Sequence, residues 1–218
     1  MRGLSFLPHL TLFPYRAVER PDPTAGNERL TATTAVLLLV LLAAEGVTIL
    51  SIRPLLSAHI VIGLLLIPPV ALKLLSTGYR FVRYYARDPD YVAKGPPHVV
   101  MRLLAPLLVL TTLAVFGTGV GMLALGPRHG RDLLLGLHKA SFILWLGLMS
   151  VHVLVYAPRL PRLVLSGSAL GRRAALVASS VAAGALLAGA TYSLAHPWIH
   201  RAHDHEREGA GRYLSVLR

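Results

Sequence analysis

Five long apolar segments constrain this chain more than any other feature of its sequence. They are Leu30–Ile52, Leu55–Thr77, Val99–Leu125, Leu133–Tyr156 and Ala174–Ala195. Each has the roughly 20 residues that a helix needs to cross a hydrocarbon layer about 30 Å thick. Inside that layer the backbone must satisfy its own hydrogen bonds, so the segments are predicted to be helices. The sequence therefore predicts an all-α integral membrane bundle of about five transmembrane helices.

The overall composition agrees with a membrane location. Hydrophobic residues make up 54% of the chain and charged residues only 15%, with a mean hydropathy of +0.59, whereas a typical soluble domain is about 25% charged. A net charge of +12 would suggest nucleic acid in a soluble protein. Here the basic residues flank apolar segments, so membrane lipid and not nucleic acid is the expected partner. The absence of Cys excludes disulfides and thiolate-ligated clusters.

The basic residues also predict an orientation. Residues 1–29, 78–98 and 157–173 together hold twelve Lys and Arg, whereas the two short loops at 53–54 and 126–132 hold three. Because basic loops stay on the cytoplasmic side, the N-terminus is predicted to be cytoplasmic. The chain then divides into a cytoplasmic arm (1–29), a transmembrane domain (30–195) and an extracytoplasmic tail (196–218) that is rich in His.

Two histidines inside the predicted spans match in depth. His59 lies about one turn into the second span and His138 about one turn into the fourth, and both spans enter from the outer face. Ionisable side chains within a span are costly and usually functional. Two imidazoles at equal depth on neighbouring helices meet the requirement for axial ligation of one haem iron from both faces. The alternative is that they only form hydrogen bonds between helices.

A third intramembrane histidine, His152, lies fourteen residues after His138 on the same span. This spacing separates them by roughly 21 Å along the axis and about 40° around it, so one helix face presents a His near each membrane surface. Two redox centres stacked across the membrane need such a spacing. The second span has Lys73 where an opposing His would lie, which leaves His98 or Met101 as the candidate partner of His152. Without one, His152 is a lone ligand or a hydrogen-bonded interior residue.

Other polar residues allow two interpretations each. Glu45 in the first span could relay protons or bind a quinol hydroxyl, or a Ser or Thr on a neighbouring helix could satisfy it. Lys73 is expected to extend to the cytoplasmic surface. The tail could bind zinc or copper, although exposed His-rich tails are common and its spacing is not diagnostic. The residues in question are His196, His200, His203, His205 and Asp204.

At these histidines the chain resembles membrane-embedded b-type cytochromes. It is similar to the cytochrome b561 and formate dehydrogenase gamma-subunit group, especially its small bacterial members, over about residues 30–157. The stretches that carry the resemblance are Ser57–Gly63, Leu137–Phe142, Val151–Val153 and Gly78–Tyr85. The resemblance implies that His59, His138 and His152 are haem ligands in a multi-pass protein of a bacterial cell membrane. The chain departs from the group in having no obvious fourth intramembrane His.

The leading hypothesis is a haem b membrane subunit that carries electrons between a quinol pool and a partner oxidoreductase. One haem b is expected, with a second if His152 has an opposing ligand. A partner redox protein is expected because no large soluble domain is present, and the chain is interpreted as an electron-transfer subunit rather than a stand-alone enzyme. Two alternatives stay open: a haem-free membrane anchor or assembly subunit, and a small transporter coupled to protons or metal ions.

Overall fold

The fold is a bundle of long helices. The structure, a computed structural model, describes residues 24–95, 99–127, 131–159 and 170–201, and no strand occurs among these residues. The helices are α1 (Ala25–Leu50), α2 (Leu56–Tyr85), the short α3 (Pro89–Val92), α4 (Val99–Leu125), α5 (Arg131–Tyr156) and α6 (Leu170–Thr191). Short 3-10 turns follow α5 at Ala157–Arg159 and α6 at Tyr192–Ala195. After the second turn, residues 196–201 are helical again.

Five of these helices are long and apolar enough to cross a membrane, which confirms the predicted helical bundle and fits a multi-pass membrane protein. The main difference from the predicted bounds is in α2, which continues eight residues beyond Thr77 to Tyr85. The aromatic and basic residues at 78–85 are therefore the last two turns of this helix. The chain reverses only after Arg87, whose backbone adopts φ 60°.

The helices pack in two groups. In the first, α2 lies between α1 and α6, and in the second, α4 and α5 form an antiparallel hairpin. Helix α2 makes far fewer contacts with α4 than with either neighbour in its own group. The chain thus places two well-packed units side by side, with a sparse boundary between them.

The contact between α2 and α6 depends on a proline and a glycine. Pro69 lies inside α2 and has no N–H, so it cannot bond the carbonyl of Leu65 four residues earlier. Helix α6 approaches α2 at this carbonyl through Gly184, where a Cβ atom would collide with the Leu65 backbone. Small residues permit such close approach between membrane helices. Direct contact with the α2 backbone therefore explains why α6 has a glycine at position 184.

Polar contacts join the groups at the end of the bundle that holds the α1–α2 turn, here called the His59 end. The indole N–H of Trp198 donates to the carbonyl of Met122 at 3.2 Å, and Arg201 donates to the carbonyl of Pro127 at 2.8 Å. The segment that follows α6 thereby covers the end of α4. The carbonyl of Met122 also accepts from the backbone N–H of Gly126 at 3.0 Å, so Trp198 adds a second hydrogen bond at the end of α4.

At the opposite end, hydrogen bonds join α1 and α2. Asn27 donates to the carbonyl of Ser76 at 3.0 Å, and the Thr31 hydroxyl donates to the Ser76 hydroxyl at 3.1 Å. The Lys73 ammonium donates to the carbonyl of Thr31 at 2.8 Å. Lys73 thus lies at the predicted cytoplasmic end, but it bonds to α1 instead of extending freely to the surface.

Candidate functional site

The structure brings His59 and His138 together across the boundary between the two helix groups. His59 is on the first turns of α2 and His138 is on the second turn of α5, both at the His59 end. Their ring centres are 6.3 Å apart, and the ring planes are inclined at 83°. The depth match predicted from the two spans therefore corresponds to a direct approach of the two imidazoles.

The Nδ1 atom of His59 faces two residues of α1. It lies 2.9 Å from Oε1 of Glu45 and 3.1 Å from the hydroxyl oxygen of Thr48. The Thr48 hydroxyl donates to the backbone carbonyl of Glu45 at 2.6 Å, which fixes its position on the helix. The side chains of His59 and Glu45 are only 22% and 13% exposed. A carboxylate and an imidazole are thus paired in a largely apolar setting.

The Nδ1 atom of His138 has a closely similar environment on α4. It lies 3.1 Å from the carbonyl oxygen of Val115 and 3.1 Å from the hydroxyl oxygen of Thr118. The Thr118 hydroxyl donates to the carbonyl of Ala114 at 2.6 Å. Each imidazole is therefore held at Nδ1 by a threonine and one further oxygen on the neighbouring helix of its own hairpin.

These contacts determine which nitrogen of each ring is available. A carbonyl oxygen only accepts hydrogen bonds, and an ionised carboxylate does the same, so Nδ1 carries the proton when these bonds form. The lone pair then lies on Nε2. Among the described residues, neither His59 nor His138 has a hydrogen-bonding partner at Nε2. Nδ1–H bonded to a carboxylate or carbonyl, with Nε2 left open, is the usual arrangement of a metal-ligating histidine.

Two glycines lie directly against these side chains. A Cβ on Gly119 of α4 would lie 3.4 Å from Cε1 of His138, and a Cβ on Gly63 of α2 would lie 3.5 Å from Oε1 of Glu45. A larger side chain at Gly119 would extend into the imidazole of His138. By contrast, nothing lies within 4 Å of a Cβ at Gly117 or Gly147.

His152 is not brought to a second imidazole within the described part of the chain. Its ring lies 4.8 Å from that of Tyr156, one turn further along α5. Met101 is buried in α4, and no contact places it on His152 among the described residues. His98, the other predicted partner, lies outside the described residues. The proposed second centre therefore stays a prediction.

The candidate metal site in the tail is described only in part. His196 and His200 have ring centres 6.2 Å apart, and Tyr192 packs against His196, whereas His203, Asp204 and His205 lie outside the described residues. Within the described ranges, no group of three His, Asp or Glu side chains is placed to hold a metal ion. Zinc or copper binding by the tail stays a prediction.

The pairing of Glu45 with His59 is the main feature that sequence reasoning missed. The sequence predicts that Glu45 relays protons, binds a quinol hydroxyl or is satisfied by a Ser or Thr of a neighbouring helix. The threonine near its carboxylate, Thr48, is instead on its own helix. The sequence does contain a basis for predicting this pairing, because only five residues join α1 and α2. Glu45 and His59 lie at similar distances from that short turn, so an antiparallel hairpin places them at the same depth.

The fold and site define the class as a multi-pass helical membrane protein with an intramembrane pair of histidines. Compared with models of protein families, with curated proteins and with solved structures, the chain matches none. The function is therefore argued from the residues and their geometry.

Proposed function

We propose that the chain is a membrane subunit that binds one haem b between His59 and His138 and carries electrons between a quinol pool and a partner oxidoreductase. The observation that carries the proposal is the pair of adjacent imidazoles, 6.3 Å apart, with both Nδ1 atoms bonded and both Nε2 atoms open in the described residues. This extends the resemblance to b-type cytochromes to a specific pair of residues in this chain.

The distance between the rings supports this ligand pair. Two imidazoles that bind one metal from opposite sides through Nε2 have ring centres roughly 6 Å apart, because each metal–nitrogen bond is about 2 Å long. The observed separation is 6.3 Å. The ligands also come from different helix groups, at the boundary where α2 makes few contacts with the α4–α5 hairpin. A flat macrocycle would enter at that boundary without separating a tightly packed helix pair.

The protein's own residues would supply ligands, orientation and a medium of low polarity. Haem iron supplies one-electron chemistry when it is bound, with a potential set by its ligands, their hydrogen bonds and the surrounding burial. Thr48 and Thr118 hold the two rings at matching positions. Quinol as one redox partner and a separate oxidoreductase as the other are carried over from the resemblance to b-type cytochromes.

The proposal is tested with the full-length protein purified from membranes in detergent, after expression with sufficient haem. A reduced-minus-oxidised absorption spectrum is expected to show b-type bands, and chemical analysis is expected to give about one iron for each haem. His59→Ala and His138→Ala are each expected to remove the same bands, because both ligands serve one iron. His196→Ala changes an exposed histidine outside the pair; it is the control and should leave the bands intact.

Two results would contradict the proposal. One is a correctly folded wild-type protein without haem bands or iron. The other is loss of the bands in only one of the two variants, since this would break the pairing. Folding is checked by circular dichroism and by a single symmetrical peak in gel filtration, so that absence of haem is not confused with aggregation.

A second candidate, a small proton-coupled transporter, is favoured by the contact between Glu45 and His59 within the membrane region. A carboxylate and an imidazole in contact can pass a proton between them. This function predicts proton-coupled flux in liposomes from a protein that contains no haem. The haem spectrum therefore distinguishes the two candidates before any flux is measured.

A further inference from the structure

The two histidines differ in one respect, which is the charge of the group that accepts from Nδ1. His59 faces the carboxylate of Glu45 at 2.9 Å, whereas His138 faces the neutral carbonyl of Val115 at 3.1 Å. The remaining contact, a threonine hydroxyl at 3.1 Å, is the same for both rings. The site is thus nearly symmetrical in hydrogen bonding and asymmetrical in charge.

We propose that Glu45 is a positioning residue that lowers the reduction potential of the centre by acting on His59. This inference rests on the proposed function. The carboxylate accepts from Nδ1–H, which fixes the ring orientation and increases electron donation from Nε2 to a bound metal. Its negative charge also stabilises the oxidised iron, which carries one more positive charge than the reduced iron, and both effects favour oxidation.

The surroundings strengthen the electrostatic effect. The Glu45 side chain is 13% exposed and that of His59 is 22% exposed, so water screens their interaction far less than at a surface. The Thr48 hydroxyl lies 3.4 Å from the second carboxylate oxygen but donates its proton to the Glu45 carbonyl at 2.6 Å, so the Nδ1–H of His59 is the main donor to the carboxylate. Gly63 of α2 lies beside the carboxylate, where a Cβ atom would be 3.5 Å from Oε1. In the described chain, Glu45 is the only charged residue that bonds to either imidazole of the pair.

The experiment separates charge from shape. Glu45→Gln keeps the length and the accepting oxygen of the side chain but removes its charge, and Glu45→Asp keeps the charge on a shorter side chain. Thr118→Val removes the neutral hydroxyl beside the other ligand and serves as the matched control. The full-length haem-loaded proteins are compared by potentiometric titration of the haem bands, and bis-histidine ligation is checked by electron paramagnetic resonance of the oxidised form.

Glu45→Gln is expected to retain haem with two histidine ligands and to have a higher midpoint potential than the wild type. Glu45→Asp is expected to lie closer to the wild type than Glu45→Gln does, and Thr118→Val should move the potential less than Glu45→Gln. The inference is overturned if Glu45→Gln retains haem at the wild-type potential. Loss of haem from both Glu45 variants would also overturn it, because the carboxylate would then be needed for binding rather than for the potential. A wild-type protein without haem would instead reject the proposed function.

Discussion

The imidazole rings of His59 and His138 lie 6.3 Å apart between their centres, and their planes are nearly perpendicular. They belong to helix groups that otherwise share few contacts. The pair is therefore both the candidate cofactor site and one of the places where the two groups meet. Changes near the pair are expected to affect cofactor binding more than the folding of either group.

Free imidazole is expected to restore haem binding to His138→Gly. Removal of the side chain leaves a space against α4, because the ring of His138 lies close to Gly119 there. An added imidazole can occupy that space, with Val115 and Thr118 available to bond its N–H. The measurement is the return of the haem bands as imidazole is titrated at millimolar concentration. Methylimidazole substituted at the bonding nitrogen should restore them less well.

Gly119→Val is expected to weaken haem binding through displacement of His138. Its Cβ would lie 3.4 Å from the imidazole, and its methyl groups would extend further into the ring. Gly117→Val is the matched control, because nothing lies within 4 Å of its Cβ and two residues along a helix place it about 200° away. Haem content per chain is measured for both. Equal haem loss in the two variants would show that the effect does not act through His138.

Gly184→Ala is expected to destabilise the contact between α2 and α6. The added methyl group would collide with the backbone at Leu65, and a backbone atom cannot move to another rotamer as a side chain can. Such overpacking typically costs about 1–3 kcal/mol. The expected observation is a lower melting temperature in detergent, followed by circular dichroism. Gly189→Ala on the same helix is the control. It meets nothing within 4 Å, so it should be neutral or slightly stabilising, by about 0.5–1 kcal/mol.

His152→Ala is expected to leave the haem bands and the amount of haem per chain unchanged. In the described residues its ring contacts Tyr156 and does not face another histidine, so the proposed centre between His59 and His138 does not depend on it. Quantitative haem extraction from the wild type and the variant tests this. A fall from two haems to one would instead show that His152 has a ligand partner in a part of the chain that the structure does not describe, such as His98.

The sequence was sufficient to predict the helices because a span has a strong and simple signature. About 20 apolar residues without charge have no other stable state in a membrane. The approach of His59 to His138 was also predictable, since helix direction and rise determine depth. The end of α2 was less predictable. Its last two turns are aromatic and basic, so hydropathy places the boundary near Thr77, whereas the hydrogen bonding of the helix continues to Tyr85.

Contacts that depend on the rotation of a helix about its axis were harder to predict than the depth of a residue in the membrane. Depth alone does not show that Glu45 points toward His59 or that Val115 and Thr118 meet His138, because this requires the rotation of each helix about its axis. The contact of Gly184 with Leu65 likewise combines a missing N–H in one helix with a missing side chain in another. Neither Pro69 nor Gly184 predicts this contact until the two helices are placed side by side.

The two histidines are placed at different times during synthesis, because α1 and α2 precede the α4–α5 hairpin in the chain. Helices α1 and α2 are synthesised first, and the contact between Glu45 and His59 lies entirely within them. The His59 ring can therefore be oriented while α5 has yet to be translated. His138 arrives later with the α4–α5 hairpin, together with its own Val115 and Thr118. Membrane helices insert individually and associate afterwards, so a cofactor held by both histidines can be enclosed only at the final stage of biogenesis.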